Sequence, residues 1–292
     1  IQEVKPDFIF HLAAQPIVSV SYDNPAETIS TNVLGTMNVL EAIRVVNCPC
    51  IAVIITSDKC YDNVEWVWGY KETDVLGGKD IYGGSKGAAE LVFKSYYHSF
   101  FKSGEGDIRI ASVRAGNVIG GGDWAQDRII PDIMRSWSRG KPVEIRSPDA
   151  TRPWQHVLEP LSGYLNLGAE LSRNSLLSGQ SFNFGPRSEY NRTVKELLED
   201  LTLRWNFPRP NDAYLVTDNQ PFHEAGLLKL NCDKALFYLK WTAALSYAEL
   251  LEFTGDWYYQ FYKNNNDMYN YTINQIKKYI NIAKEKGVSW AQ

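Results

Sequence analysis

Cysteine is scarce in this chain of 292 residues: Cys48, Cys50, Cys60 and Cys232 are all there are. They fall in no zinc-ribbon spacing, and Cys48-Pro49-Cys50 alone is too sparse to hold a metal, so no metal centre is expected and the thiols read as reduced and structural. No window approaches the roughly 20 apolar residues of a membrane span, and no charged region leads into an apolar run at the start, so neither an anchor nor a secretory signal is read. The formal charge is -4 and scattered, without the basic stripe that argues for nucleic acid or the acidic run that argues for a disordered tail. Repeats, low-complexity tracts and shifts of composition are lacking too, which excludes solenoids and leaves no flexible linker. A cytoplasmic globular protein working on small molecules is the simplest reading.

What is there supports a sizeable core: 44% of residues are hydrophobic and 22% charged, ordinary values for one domain with an appended lobe or for two domains. Asp7-Phe8-Ile9-Phe10-His11-Leu12-Ala13-Ala14 reads as a buried strand ending in small residues. It comes so soon after Ile1 that upstream sequence is expected, since this strand would otherwise present an apolar edge. Asn24-Pro25-Ala26-Glu27 has the form of a capping box, and Ile29, Val33, Met37 and Leu40 then recur at helical spacing. The run Ile51-Ala52-Val53-Ile54-Ile55-Thr56 predicts a strand covered on both faces. A helix is expected from Tyr82 to about Phe101 and a strand over Ile108 to Val113.

Alternating strands and helices of this kind predict an α/β protein with a doubly wound, parallel Rossmann-type sheet. Beyond Gly120 the pattern loosens, with a short strand near Phe182-Asn183-Phe184, a capped helix opening at Thr193 with Glu196 at its third position, and helices from Ser246 onward. These predict a smaller lobe over residues 121-292, interleaved with a domain over 1-120.

The sharpest local feature is Tyr82-Gly83-Gly84-Ser85-Lys86, because a Tyr and a Lys four residues apart share one helix face. A nearby ammonium favours the phenolate, which lets Tyr82 take a proton from a hydroxyl. Alone this spacing is weak, since it arises by chance in many helices. Its context is stronger: Ser57-Asp58-Lys59 sits at the carboxyl end of the preceding strand, where open α/β sheets bind ligands.

With a strand ending in Leu-Ala-Ala, a Ser after the next strand and Tyr-x-x-x-Lys, in this order, the chain resembles the extended short-chain dehydrogenase/reductase family. Within it, Thr56-Ser57-Asp58-Lys59-Cys60-Tyr61-Asp62-Asn63 resembles the nucleotide-sugar 4,6-dehydratases. The third position, Glu in the dTDP-glucose enzymes, is Lys in those acting on CDP-glucose, and Glu65-Trp66-Val67-Trp68-Gly69-Tyr70, Arg114 to Trp124 and Arg152-Pro153-Trp154-Gln155-His156-Val157 also look like that group. The resemblance runs from the start to about Trp241. It implies NAD as cofactor, contacted by Leu12, Ala13, Ala14, Asn32, Thr56, Tyr82 and Lys86, with plain core packing the alternative for the alanines. It implies a nucleotide-sugar substrate, CDP-glucose, with Asn117, Arg128, Arg152 and His223 nearby. Arg152 leads because a guanidinium pairs bidentately with phosphate; the others have structural readings as well.

The implied chemistry is oxidation at C4 of the glucosyl unit with Tyr82 as base, Ser57 holding the same oxygen and Lys86 lowering the tyrosine pKa, followed by loss of water across C5 and C6. Asp58 would protonate the departing 6-hydroxyl, and Lys59 would be either the C5 base or an ion-pair partner of Asp58. Trp124 would stack on a base or close a loop. The family commonly forms homodimers or larger homo-oligomers. The family's glycine-rich pyrophosphate loop is not found: Gly116 to Gly122 follows a late strand and leads into Asp123-Trp124, not into a helix. The alternatives are an epimerase or dehydratase for another nucleotide sugar, against which Ser57-Asp58-Lys59 argues in the epimerase case, and a truncated non-catalytic homologue.

Overall fold

Strand β1, Phe8–His11, opens a regular alternation. Helix α1 (Val18–Asp23) and helix α2 (Pro25–Ile29) follow, and a π-helical turn at Ser30–Leu34 leads into α3 (Gly35–Val46), closed by left-handed Asn47. Strand β2 (Cys50–Ile55), helix α4 (Ile81–Tyr96), extended by a π-helical turn at Tyr97–Phe101, and strand β3 (Ile108–Ala115) complete this stretch. The computed structural model describes every residue except 105–106, 188, 206, 208, 210–211, 218–225 and 265–266.

The chain continues through β4 (Val118–Ile119), α5 (Ile129–Ser138), β5 (Val143–Ile145), β6 (Thr151–Arg152) and β7 (Gln155–His156) to the long helix α6 (Leu158–Arg173). After β8 (Ser181–Phe184) come β9 (Arg192–Thr193), α7 (Val194–Trp205), β10 (Tyr214–Val216), α8 (Asp233–Leu239), α9 (Tyr247–Tyr259) and α10 (Met268–Glu285). Two compact units share this chain. The first comprises Ile1–Gly116, Ser162–Phe184 and Leu230–Trp241, and the second comprises Asn117–Leu161, Gly185–Lys229 and Thr242–Gln292.

The first unit is built on a parallel sheet in the order β1-β2-β3-β8, with Phe8 opposite Ile51, Ile51 opposite Arg109 and Ser112 opposite Ser181. Cys50, Ala52, Ile54, Ile108 and Ile110 project to one face and pack with Leu40, Ile43 and Phe93 of α3 and α4. On the other face α6 approaches closely: a Cβ on Gly168 would lie 3.1 Å from the Phe10 ring, and one on Gly163 would collide with Phe184. Coverage of both faces is why the β2 run is continuously apolar instead of alternating.

Two local expectations change. The stretch Phe182-Asn183-Phe184, assigned above to the second lobe, is β8 and completes the sheet of the first unit; four residues carry no signal of the partner they pair with. The capping box at Asn24 does not form. Asn24 already closes α1 with its own N–H on the Val20 carbonyl, and its backbone at φ -129° and ψ 65° departs from the extended geometry in which a side chain caps a helix.

The second unit has three two-stranded pairs, β4 with β7 and β5 with β10 parallel, and β6 with β9 antiparallel. Its core gathers Trp137, Leu197, Leu201, Trp205 and Tyr258. The cap read at Thr193 forms, Thr193 Oγ1 accepting from Glu196 N–H at 3.1 Å, and the helix expected from Ser246 opens with a capping box of its own, Ser246 Oγ accepting from Glu249 N–H at 3.3 Å. Buried Glu159 accepts from the Ala244 and Leu245 amides at 3.0 and 2.6 Å and from the Tyr279 hydroxyl at 2.9 Å, fastening α10 to the loop ahead of α9.

Candidate active site

Where β2 ends, the chain turns sharply. Thr56 still belongs to the sheet, its N–H donating to the Val113 carbonyl at 2.9 Å. Ser57 then caps a single 3-10 turn, Asp58–Cys60: its Oγ accepts from Lys59 N–H at 3.3 Å and donates to Asp58 Oδ1 at 3.1 Å. Ser57 and Asp58 are both buried. The aspartate fits only because residue 116 is glycine, since a Cβ there would collide with the Asp58 carboxylate. Lys59, between Asp58 and Cys60, is half-buried.

Helix α4 lies directly against this turn. Asp80 caps it, accepting from Gly83 N–H at 2.9 Å, and its early glycines make the approach possible. A Cβ on Gly83 would stand 2.9 Å from the Lys59 carbonyl oxygen, and one on Gly87 3.2 Å from that of Cys60. On the same helix Tyr82 and Lys86 are both buried, with Lys86 Nζ 5.9 Å from the centre of the Tyr82 ring. Burial pulls the Lys86 ammonium down to about 8, against the opposing influence of Cys60 and Glu90. An ammonium held in a dry site beside a phenol favours the phenolate more than it would in water.

A brace that the motif reading did not include holds the turn and the helix together. Glu90, one turn beyond Lys86, receives the Thr56 hydroxyl on Oε1 at 2.5 Å, and Arg114 Nη2 and the Ser112 hydroxyl on Oε2 at 2.8 and 2.9 Å. Burial alone would push this carboxyl up, but the Arg114 guanidinium and these hydrogen bonds outweigh it and hold it below the usual range. Arg114 also donates to the Tyr61 hydroxyl at 2.8 Å, which donates to Asn183 Oδ1 at 2.8 Å. The Thr56 hydroxyl, on one of the expected cofactor contacts, thus donates to Glu90. Only the helical spacing Lys86 to Glu90 hinted at this group.

Of the expected cofactor contacts, Leu12 is 53% exposed, Ala13 is exposed as well and Ala14 is half-buried. Asn32 is buried and committed: its Oδ1 accepts from Gln15 N–H at 2.8 Å, while Nδ2 donates to Gln15 O at 3.1 Å and Ser85 Oγ at 2.8 Å. It ties the segment after β1 to helix α4. His11, at the end of β1, is kept neutral by burial and by Lys86, and its Nε2 lies 3.4 Å from the Thr36 hydroxyl.

The expected substrate residues lie in the second unit. Asn117 follows β3 with a left-handed backbone, φ 45°, and its carbonyl accepts from Gln155 N–H at 3.3 Å. Arg128 pairs with Asp123 at 2.9 Å. Arg152 lies in β6, with Nη1 on the neighbouring Thr151 carbonyl at 2.9 Å. His223 lies outside the described residues. Trp124 joins a cluster of rings, with centroids 4.7 Å from Phe261, 5.5 Å from Tyr258 and 6.1 Å from Trp257. Among the described residues there is no group of acidic, Cys and His side chains able to hold a metal, and no helix long and apolar enough to cross a membrane.

Comparison with known proteins matches residues 1–254 to the model of the GDP-mannose 4,6 dehydratase family. CDP-glucose 4,6-dehydratase of Salmonella typhimurium is 50% identical over 246 residues, covering 82% of this chain and 67% of that enzyme. A dTDP-glucose 4,6-dehydratase of Xanthomonas campestris is 22% identical over 273 residues, 88% of this chain and 74% of that protein. Among solved structures, dTDP-glucose 4,6-dehydratase from Streptomyces venezuelae with NAD and TYD bound superposes with a TM-score of 0.75 at 19% identity, over 89% of this chain and 75% of that one. UDP-glucuronic acid 4-epimerase from Bacillus cereus in complex with UDP-glucuronic acid and NAD gives 0.75 at 19%, over 87% and 76%. These structural likenesses establish the α/β fold with its parallel sheet.

Proposed function

The chain belongs to the GDP-mannose 4,6 dehydratase family, and on that premise we propose that it is an NAD-dependent nucleotide-sugar 4,6-dehydratase converting CDP-glucose to CDP-4-keto-6-deoxyglucose. The observation that carries the reading is the buried pair Ser57 and Asp58 with Tyr82 and Lys86 on the helix packed against their turn. Half of all aligned positions are shared with the Salmonella enzyme, and Lys59 stands at the third position of the turn.

The residues present fit a dinucleotide. Leu12 and Ala13 are open at the carboxyl end of β1, with no side chain beyond Cβ at positions 13 and 14 to bar a flat ring, and Lys86 and Tyr82 are on the helix beyond. Those four would hold it. NAD, when bound, supplies the hydride acceptor at C4 of the sugar and the hydride donor at C6.

Tyr82 takes the proton of the 4-hydroxyl, and Lys86 stabilises the phenolate so that this occurs near neutral pH. Ser57 donates a hydrogen bond to the oxygen that becomes the ketone, stabilising charge as it develops there. The ketone acidifies the C5 hydrogen, which Lys59 removes. Asp58, shielded from water, gives its proton to the departing 6-hydroxyl. An epimerase has no use for that acid, because no hydroxyl leaves. In the second unit Arg152 and Arg128 bind the diphosphate and Asn117 the sugar or its linkage.

The reading is tested by incubating the protein with NAD and CDP-, dTDP-, UDP- or GDP-glucose and following the alkaline absorbance of a 4-keto-6-deoxy product. Turnover confined to CDP-glucose and abolished in Tyr82→Phe is expected. Preference for another nucleotide would overturn the substrate, and no turnover with any of the four despite bound NAD would overturn the activity.

A further inference from the structure

The glycine run Gly120-Gly121-Gly122 is the socket of a helix. A Cβ on Gly121 would collide with the Trp257 indole, and Gly122, at φ 81°, takes a backbone conformation that side chains disfavour. Next to Trp257, Tyr258 donates its hydroxyl to the Asp123 carbonyl at 2.7 Å, and Arg135 Nη2 donates to the Trp124 carbonyl at 3.0 Å. Two successive carbonyls of this loop are therefore pinned. The Asp123 carboxylate is spent in the same turn: Oδ1 accepts from Ala125 N–H at 3.0 Å and Oδ2 from Arg128 Nη1 at 2.9 Å. Trp257 and Tyr258 belong to α9 and lie beyond residue 254, where the match to the family model ends.

We propose that Trp257 and Tyr258 are positioning residues for recognition of the nucleoside diphosphate. They hold the loop so that Asp123 presents the Arg128 guanidinium, whose other N–H groups are uncommitted among the described residues, to phosphate oxygens. The proposal rests on the reading of Arg128 as a diphosphate contact. An arginine already fixed by a carboxylate gives up less rotamer freedom on binding than one free in solvent, a difference worth roughly threefold to tenfold in affinity. The link touches no reacting atom, so it governs binding and leaves the chemical step alone.

The test is a double-mutant cycle read by calorimetric binding of CDP, with KM and kcat for CDP-glucose measured alongside. Tyr258→Phe is expected to weaken CDP about threefold to tenfold and to raise KM by the same factor, with kcat and melting temperature kept. Arg128→Ala should weaken CDP more, and adding Tyr258→Phe to it should cost nothing further. Should Tyr258→Phe lower the melting temperature, Trp257→Phe loosens the same loop and must give the same KM-only signature. Undiminished loss in the Arg128→Ala background, unchanged CDP binding in Tyr258→Phe, or a fall in kcat at constant KM would each overturn the proposal. If Arg128→Ala alone leaves CDP binding unchanged, the reading of Arg128 itself fails, and that result stands apart from anything seen at Tyr258.

Discussion

The turn after β2 in the first unit and the loop from Gly120 to Arg128 in the second perform the same task by opposite means. Each fixes a polar side chain that a bare loop would leave mobile. Around the first, a buried charge pair, Glu90 with Arg114 at 2.8 Å, collects hydroxyls from Thr56 and Ser112 and passes on to Tyr61 and Asn183. Around the second, rings and single hydrogen bonds share the holding: Trp124 packs among Trp257, Tyr258, Phe261 and Tyr262, while Tyr258 and Arg135 donate to successive carbonyls. A hydrogen-bonded charge network is directional and fails as a whole when one member goes. Rings are held by volume and tolerate replacement by other rings. The comparison teaches that the unit with the proposed acid and base keeps its geometry by a buried charge network, and the one with the proposed substrate contacts by packed rings with hydrogen bonds to its backbone.

The largest effect that would break this contrast is expected at Glu90. Glu90→Ala leaves the Arg114 guanidinium buried without its counter-charge, and should cost about 3–5 kcal/mol in denaturant unfolding. A loss below about 1 kcal/mol would mean that the turn is held by something else.

A smaller effect lies in the second unit, where the buried imidazole of His156 is neutral and packs edge-on against Phe253. Burial pushes its pKa down to about 3 from an ordinary 6.5. Above 6.5 the ring is neutral in folded and unfolded chains alike, so the full stability is present there. As pH falls from 6.5 toward 3, the unfolded chain gains a proton that the folded one refuses, and stability drops by about 1.4 kcal/mol per pH unit. At pH 5 the loss is about 2 kcal/mol, and His156→Gln should flatten that part of the curve; parallel curves would refute it. The smallest effect is Trp124→Phe. With the residue 44% exposed among other rings, unfolding should change by less than about 1.5 kcal/mol, while Arg114→Lys, nominally as mild, should cost more because lysine cannot reach Glu90 and Tyr61 with one planar fork.

Much of this was legible because it is local. The β2 run announces a strand covered on both faces, and the boxes at Thr193 and Ser246 announce helix starts, since donor and acceptor lie three residues apart. Tyr82 and Lys86 are legible for the same reason. What stayed hidden depends on pairs far apart in the chain: Glu90 with Arg114, Gly116 beneath Asp58, Trp257 in the Gly121 socket, β8 beside β3. Asn24 shows the limit from the other side, because its pattern is local and correct, yet a short preceding helix takes the residue for its own end.

The chain passes between the two units at five places, after Gly116, Leu161, Phe184, Lys229 and Trp241. A gene coding for such a thread cannot be trimmed to release one unit, because no cut at a single junction separates the two. Recombination that exchanged only the stretch after Lys229 would import α8 for one unit together with α9 and α10 for the other. The two units are therefore inherited as one, and neither can be exchanged whole and alone by a single crossover.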